Sequence, residues 1–103
     1  MKERELLVTV EFQSMRRETS LEDFAKELEE LALSAGLQVI ESLKLRPKAP
    51  NPKLLIGEGK VEEIKAIVAR EKIDVVVIGS NLSPTQQRNF EAVVETKTID
   101  RTQ

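Results

Sequence analysis

The run Ile73–Gly79, IDVVVIG, is apolar and β-branched almost throughout. A strand of that composition belongs in the middle of a parallel sheet, where both of its faces are covered. Parallel neighbours are joined by crossovers, so amphipathic helices should lie before and after it.

The flanking sequence supplies them. Glu5–Phe12, ELLVTVEF, predicts a first strand with Leu6, Val8, Val10 and Phe12 on one face and Leu7 on the other. Thr19 with Glu22, or Ser20 with Asp23, has the spacing at which a hydroxyl and a carboxylate cap a helix. Leu21, Phe24, Ala25, Leu28, Leu31, Ala32 and Ala35 then recur on one helical face, and Gly36 stands where a left-handed C′ residue belongs. In Leu37–Leu45, Leu37, Val39, Leu43 and Leu45 alternate with Gln38, Ser42 and Lys44, while Ile40 is out of step. That is a strand with one wetter face, near a sheet edge. Val61, Ile64, Ile67 and Val68 predict a second helix reaching about Lys72, with Glu58, Glu62 and Glu63 near its positive end. Ser83-Pro84-Thr85-Gln86 combines an N-cap serine, a proline at the first helical position and a capping-box glutamine; Phe90, Val93 and Val94 follow as that helix's apolar contacts. Lys97–Asp100 is a short fourth strand, whose edge is expected to fray or self-associate. The predicted fold is α/β: a mostly parallel four-stranded sheet, in the order β-α-β-loop-α-β-α-β, with helices on both faces.

Length and composition narrow the function classes. The chain of 103 residues is one domain, and 33% charged with 40% apolar residues marks a folded, soluble one. It contains neither cysteine nor histidine. Disulfides are excluded, no metal site is predicted, and Ser80 and Ser83 lack a histidine to activate them. No apolar run approaches the ~20 residues of a membrane span. The start, MKERELLVTVEF, is too short and too charged for a signal peptide. The expected location is cytoplasmic.

The net charge of −2 hides an uneven distribution. Glu18–Glu30 carries six acids and one base, on what the periodicity makes the solvent face of the first helix. Lys44–Lys60 carries five bases and one acid, Glu58. Within it lies RPKAPNPKLLIGEGK, Arg46–Lys60, with three of the four prolines. Such a run cannot be an interior strand or mid-helix, and a long connection of this kind is commonly functional. In a parallel sheet it falls on the carboxyl rim, where ligands meet α/β proteins. The same rim takes Gln13–Glu18, with Arg16 and Arg17, and Gly79–Leu82. Leu54-Leu55-Ile56 should anchor the end of the proline run as a short extra strand, leaving Arg46–Pro52 the freer part.

Gly57-Glu58-Gly59-Lys60 has the look of an anion loop before a helix. A Walker A loop needs four residues between its glycines and a Ser or Thr after the lysine, whereas here one residue intervenes and Val61 follows. Glu58 would repel a phosphate in that cradle. A tight turn opening the second helix and a nucleotide loop using Gly57, Gly59 and Lys60 both remain open. The paired carboxylates Glu29/Glu30 and Glu62/Glu63 are adjacent in helices and face apart. With three phenylalanines and no Trp or Tyr, base stacking has little to work with, so any RNA contact goes to phosphate and shape.

GEGKVEEI at Gly57–Ile64, LSPTQQRNFE at Leu82–Glu91 after the apolar strand, and TIDRT at Thr98–Thr102 together resemble the amino-terminal domain of the HflX family of ribosome-associated GTP-binding proteins. So do ERELLVTVEF at Glu3–Phe12 and the proline stretch, and the resemblance covers essentially the whole chain. It implies a module that binds the large ribosomal subunit and its rRNA and supports ribosome dissociation or rescue. In the family a helical hairpin and a GTPase domain follow. Residues 1–103 match the amino-terminal α/β domain, and the GTPase domain, with its Walker A and guanine-specificity motifs, is absent from this chain. GTP and Mg are thus cofactors of the full-length family; for this chain alone neither a cofactor nor an enzymatic activity is expected. Arg46, Lys48, Lys53, Lys60 and Arg88 are the candidate phosphate contacts. The alternatives are a nucleotide-binding or nucleotide-hydrolysing domain using Gly57–Lys60, and a regulatory domain restraining the GTPase domain.

Overall fold

In the computed structural model, which describes residues 3–12 and 20–100, strand β3 (Val75–Gly79) lies inside a four-stranded parallel sheet. Its neighbours are β1 (Arg4–Val10) and β4 (Lys97–Asp100), and β2 (Gln38–Leu45) flanks β1, giving the order β2-β1-β3-β4. The predicted α/β class is the observed one, and all three strand pairs are parallel.

Three helices join the strands: α1 (Leu21–Ser34), α2 (Glu58–Glu71) and α3 (Pro84–Val94). Ser20 caps α1, its Oγ accepting from the Asp23 amide at 3.1 Å. Ser83 caps α3 in a full capping box: its Oγ accepts from Gln86 N at 3.1 Å, and Gln86 Oε1 accepts from Ser83 N at 3.0 Å. Gly36, at φ 84°, ends α1 in the left-handed region that only glycine adopts without cost.

Helices α2 and α3 pack on each other and on one face of the sheet. The main core lies there: Leu6, Val8, Val76 and Ile78 from the strands meet Val61, Ile64, Phe90 and Val94 from the helices. Each such side chain, once fully buried, contributes about 1.5–3 kcal/mol. Helix α1 covers the other face over β1 and β2. No helix among the described residues is long and apolar enough to cross a membrane.

Several boundaries and faces differ from the sequence reading. Strand β1 ends at Val10, although Phe12 remains buried, and β3 starts at Val75. Ile40 is out of step because it is the extra residue of a β-bulge: Glu5 pairs with Val39 but Leu6 pairs with Glu41. The bulge separates Val39 from Leu43 and Leu45, which pair with Val8 and Val10 on the core face. Leu31 is 60% exposed and Ala35 is exposed, so the apolar stripe of α1 is only partly used.

Candidate functional site

Because every strand is parallel, the connections after β1, β2 and β3 leave the same edge of the sheet. Arg16 and Arg17 lie outside the described residues. The β2–α2 connection dominates what is described. Asn51 organises it: Oδ1 accepts from the amides of Lys53 at 2.8 Å and Leu54 at 3.1 Å, the local bonding that favours asparagine in turns. Asn51 and Leu55 also exchange both backbone hydrogen bonds, each 2.8 Å. The short extra strand expected here is thus a single antiparallel bridge, because Leu55 turns the chain at φ 72° and ends the pairing. The anchoring role stands: Leu54, Leu55 and Ile56 are buried in the main core.

The connection is then tied to α3. Gln86 Nε2 donates to the Asn51 carbonyl at 2.9 Å, and Asn89 Nδ2 donates to the Lys53 carbonyl at 3.0 Å. Pro47 and the exposed Lys48, Ala49 and Pro50 stand between the end of β2 and this anchored turn. Sequence reasoning missed Asn51, Gln86 and Asn89 as positioning residues. The Asn-Pro pair at 51–52 was a legible turn signal.

The five candidate cations fall into distinct places. Arg46 and Lys60 line one recess of about 140 Å³ with Pro47, Ile56 and Gly57. Arg46 pairs with Glu22 of α1 at 3.4 Å, and Lys60 with Glu63 one turn along α2 at 3.2 Å. Both pairs are exposed, so each is screened by water and easily exchanged for another anion. The Glu22 carboxyl is held below its ordinary range chiefly by its own backbone amide at the start of α1, with Arg46 adding to the effect. Lys53 lines a separate groove of about 570 Å³ between α2 and α3, beside Asn89. Lys48 and Arg88 are exposed, Arg88 next in sequence to Asn89.

Gly57 is the N-cap of α2, without a side-chain cap, while Gly59 and Lys60 already belong to its first turn. The only acid in that turn is Glu58, favourably placed at the positive end of the helix dipole. Among the described residues no group of three or more potential ligands could hold a metal ion.

Comparison with known proteins decides the family. The family described as "GTP-binding GTPase N-terminal" matches residues 22–103, which contain every candidate cation named above except Arg16 and Arg17. The GTPase HflX of Flavobacterium psychrophilum is 34% identical over 97% of this chain and 24% of its own length. GTPase HflX of Escherichia coli is 40% identical over 84% of this chain and 20% of its own. The chain is an amino-terminal domain of the HflX family. A solved chain described as SsGBP mutation variant G235P has the same fold, with a TM-score of 0.67 and 27% identity over 98% of this chain and 29% of its own. This HflX domain thus spans about a quarter of the length of the curated relatives it matches.

Proposed function

We propose that this HflX domain is a non-catalytic module that binds the large ribosomal subunit through rRNA phosphates, within a protein whose GTP hydrolysis resides in a separate domain that holds GTP and Mg. The observation that carries the reading is the β2–α2 connection. It presents Lys53 on a turn fixed to α3 by two side-chain amides, with the exposed Lys48 just before that turn, on the sheet edge that also carries Arg46 and Lys60. A turn anchored at both its apolar end and its polar flank loses little freedom on meeting a ligand, and its cations need no aromatic partner to engage phosphate. In this role the domain supports ribosome dissociation or rescue in the cytoplasm by placing the GTPase domain on the subunit.

Binding of the domain to large-subunit rRNA, followed across a salt series, tests the reading. Each phosphate contact removed by Lys48→Ala or Lys53→Ala is expected to reduce the salt slope by about one. An unchanged slope for both variants overturns the assignment of these residues.

A second reading has its own observation. The curated relatives are GTPases some four times longer than this chain, which makes a domain that restrains nucleotide turnover a coherent alternative. Equal GTP turnover with and without residues 1–103 would count against it. Nucleotide binding at Gly57–Lys60 is the third, and titration of GTP and ATP into the isolated domain separates it from the other two.

A further inference from the structure

Helix α3 holds backbone on both of its flanks. On one, Gln86 Nε2 donates to the Asn51 carbonyl at 2.9 Å and Asn89 Nδ2 to the Lys53 carbonyl at 3.0 Å. On the other, Gln87 Nε2 donates to the Thr98 carbonyl at 2.9 Å, and Glu91 Oε2 accepts from the Thr98 amide at 3.0 Å. At ~100° per residue the two pairs stand roughly 150° apart round the helix. Phe90 and Val94, which α3 buries in the main core, fall between them. A further bond ties the start of the helix to the end of the strand. The Leu82 amide, just before the Ser83 cap, donates to Asp100 Oδ2 at 2.8 Å.

Strand β4 has a neighbour, β3, on one side only. Helix α3 supplies partners for both the amide and the carbonyl of Thr98, so at that residue the strand does not present the open edge expected from the sequence. The helix depends on these bonds in turn. Its 11 residues fall short of the ~12–15 below which an isolated helix is marginal in water. Its C-cap, Glu95, is a non-glycine residue held at φ 57°, which adds a local cost. Tertiary contacts therefore keep α3 in place, and both pairs of bonds need it in the same position. The turn and the strand are held by two sides of one docked element.

We propose that α3 couples the basic turn to β4, so that turn and strand loosen and tighten as one unit. The two-state element is α3 itself: docked, it satisfies Asn51, Lys53 and Thr98 together, and displaced, it satisfies none of them. Coupling of this kind is reciprocal. An anion that binds the turn only in its docked form stabilises β4 by the same free energy with which a docked β4 favours the anion. Lys53 and Thr98 are thereby linked across 45 residues of sequence with no bond between them. The coupling stands on these hydrogen bonds alone; that the anion is an rRNA phosphate rests on the function proposed above.

Amide hydrogen exchange of the 103-residue chain, followed residue by residue by NMR, tests the coupling without any ligand. The Leu54 amide, bonded to Asn51 Oδ1 at 3.1 Å, reports on the turn, and the Thr98 amide reports on the strand. Asn89→Ala removes a bond to the turn alone, and Glu91→Ala a bond to the strand alone. Both side chains are half-buried and outside the main core, so each variant keeps the fold. Each is expected to raise exchange at the distant reporter as well as the near one, by about threefold or more. The amides of Leu7 and Val8 in the central strand β1 should keep their wild-type rates. The proposal is overturned if Asn89→Ala leaves Thr98 unchanged and Glu91→Ala leaves Leu54 unchanged. It is overturned equally if the β1 amides accelerate by the same factor, since the whole domain and not α3 would then be the unit that opens.

Discussion

The Gln86 side chain serves two elements at once: its Oε1 accepts from the Ser83 amide at 3.0 Å, and its Nε2 donates to the Asn51 carbonyl at 2.9 Å. One residue thereby starts α3 and fixes the basic connection against it. The two roles can be separated by chemistry. Gln86→Glu keeps the acceptor that the cap needs but places a carboxylate against a carbonyl. It should leave helix α3 intact while raising amide exchange at Lys53 and Leu54. Gln86→Ala removes both bonds and should cost about 1–2 kcal/mol in urea unfolding. If both variants exchange these amides at the wild-type rate, Gln86 does not position the connection.

Glu5 gives the domain a pH-dependent stability. It is 1% exposed between β2 and β3, and its Oε2 has no hydrogen-bond partner among the described residues. Burial, with Glu29 of α1 adding repulsion, pushes its carboxyl up to about 7 from the ordinary 4.5. Between those values the folded protein keeps a proton that the unfolded chain releases, so stability falls as pH rises through the window and levels off above it. A shift of that size corresponds to a loss on the order of 3 kcal/mol. Glu5→Gln should flatten the profile and be the more stable protein at pH 8. Urea midpoints at pH 5 and pH 8 check it; a wild-type profile as flat as that of the variant contradicts it.

Gly79 stands where α1 comes down on the sheet. A Cβ there would meet Leu28 Cδ1 at 2.8 Å and the Thr9 Cα at 3.3 Å. The leucine tip can move, but the backbone of β1 cannot. Gly79→Ala is expected to destabilise by about 1–2 kcal/mol. Adding Leu28→Ala should recover part of that loss, a non-additivity that thermal unfolding of the double variant measures. Additive losses would mean that the clash with Leu28 is not what excludes the methyl group.

What was legible in the sequence was local. Ser20 and Ser83 cap helices through bonds spanning three residues, and IDVVVIG admits few homes other than a covered parallel strand. The meaning of Ile40 was not legible, because a bulge is defined by the register with another strand and by nothing in its own strand. Leu31 fits its helical stripe yet is 60% exposed, since periodicity says which residues share a face and not how much of that face is covered. The candidate cations were visible as a charge run, but the amide bonds that fix their turn link Gln86 to Asn51 across 35 residues. Side chains that hold a site in place carry no periodicity: the Asn51-Pro52 pair signalled no more than a turn, and Gln86 no more than a helix cap.

The central claim is that the carboxyl edge of this HflX domain engages the large ribosomal subunit. Co-sedimentation of the 103-residue domain with purified large subunits, for the wild type and for the variant in which Lys48, Lys53 and Lys60 all become Glu, tests it most directly. All three side chains are exposed, so the variant should fold as the wild type does. The account predicts saturable binding by the wild type that weakens with salt and is lost in the variant. Binding by the variant as tight as that of the wild type would contradict it.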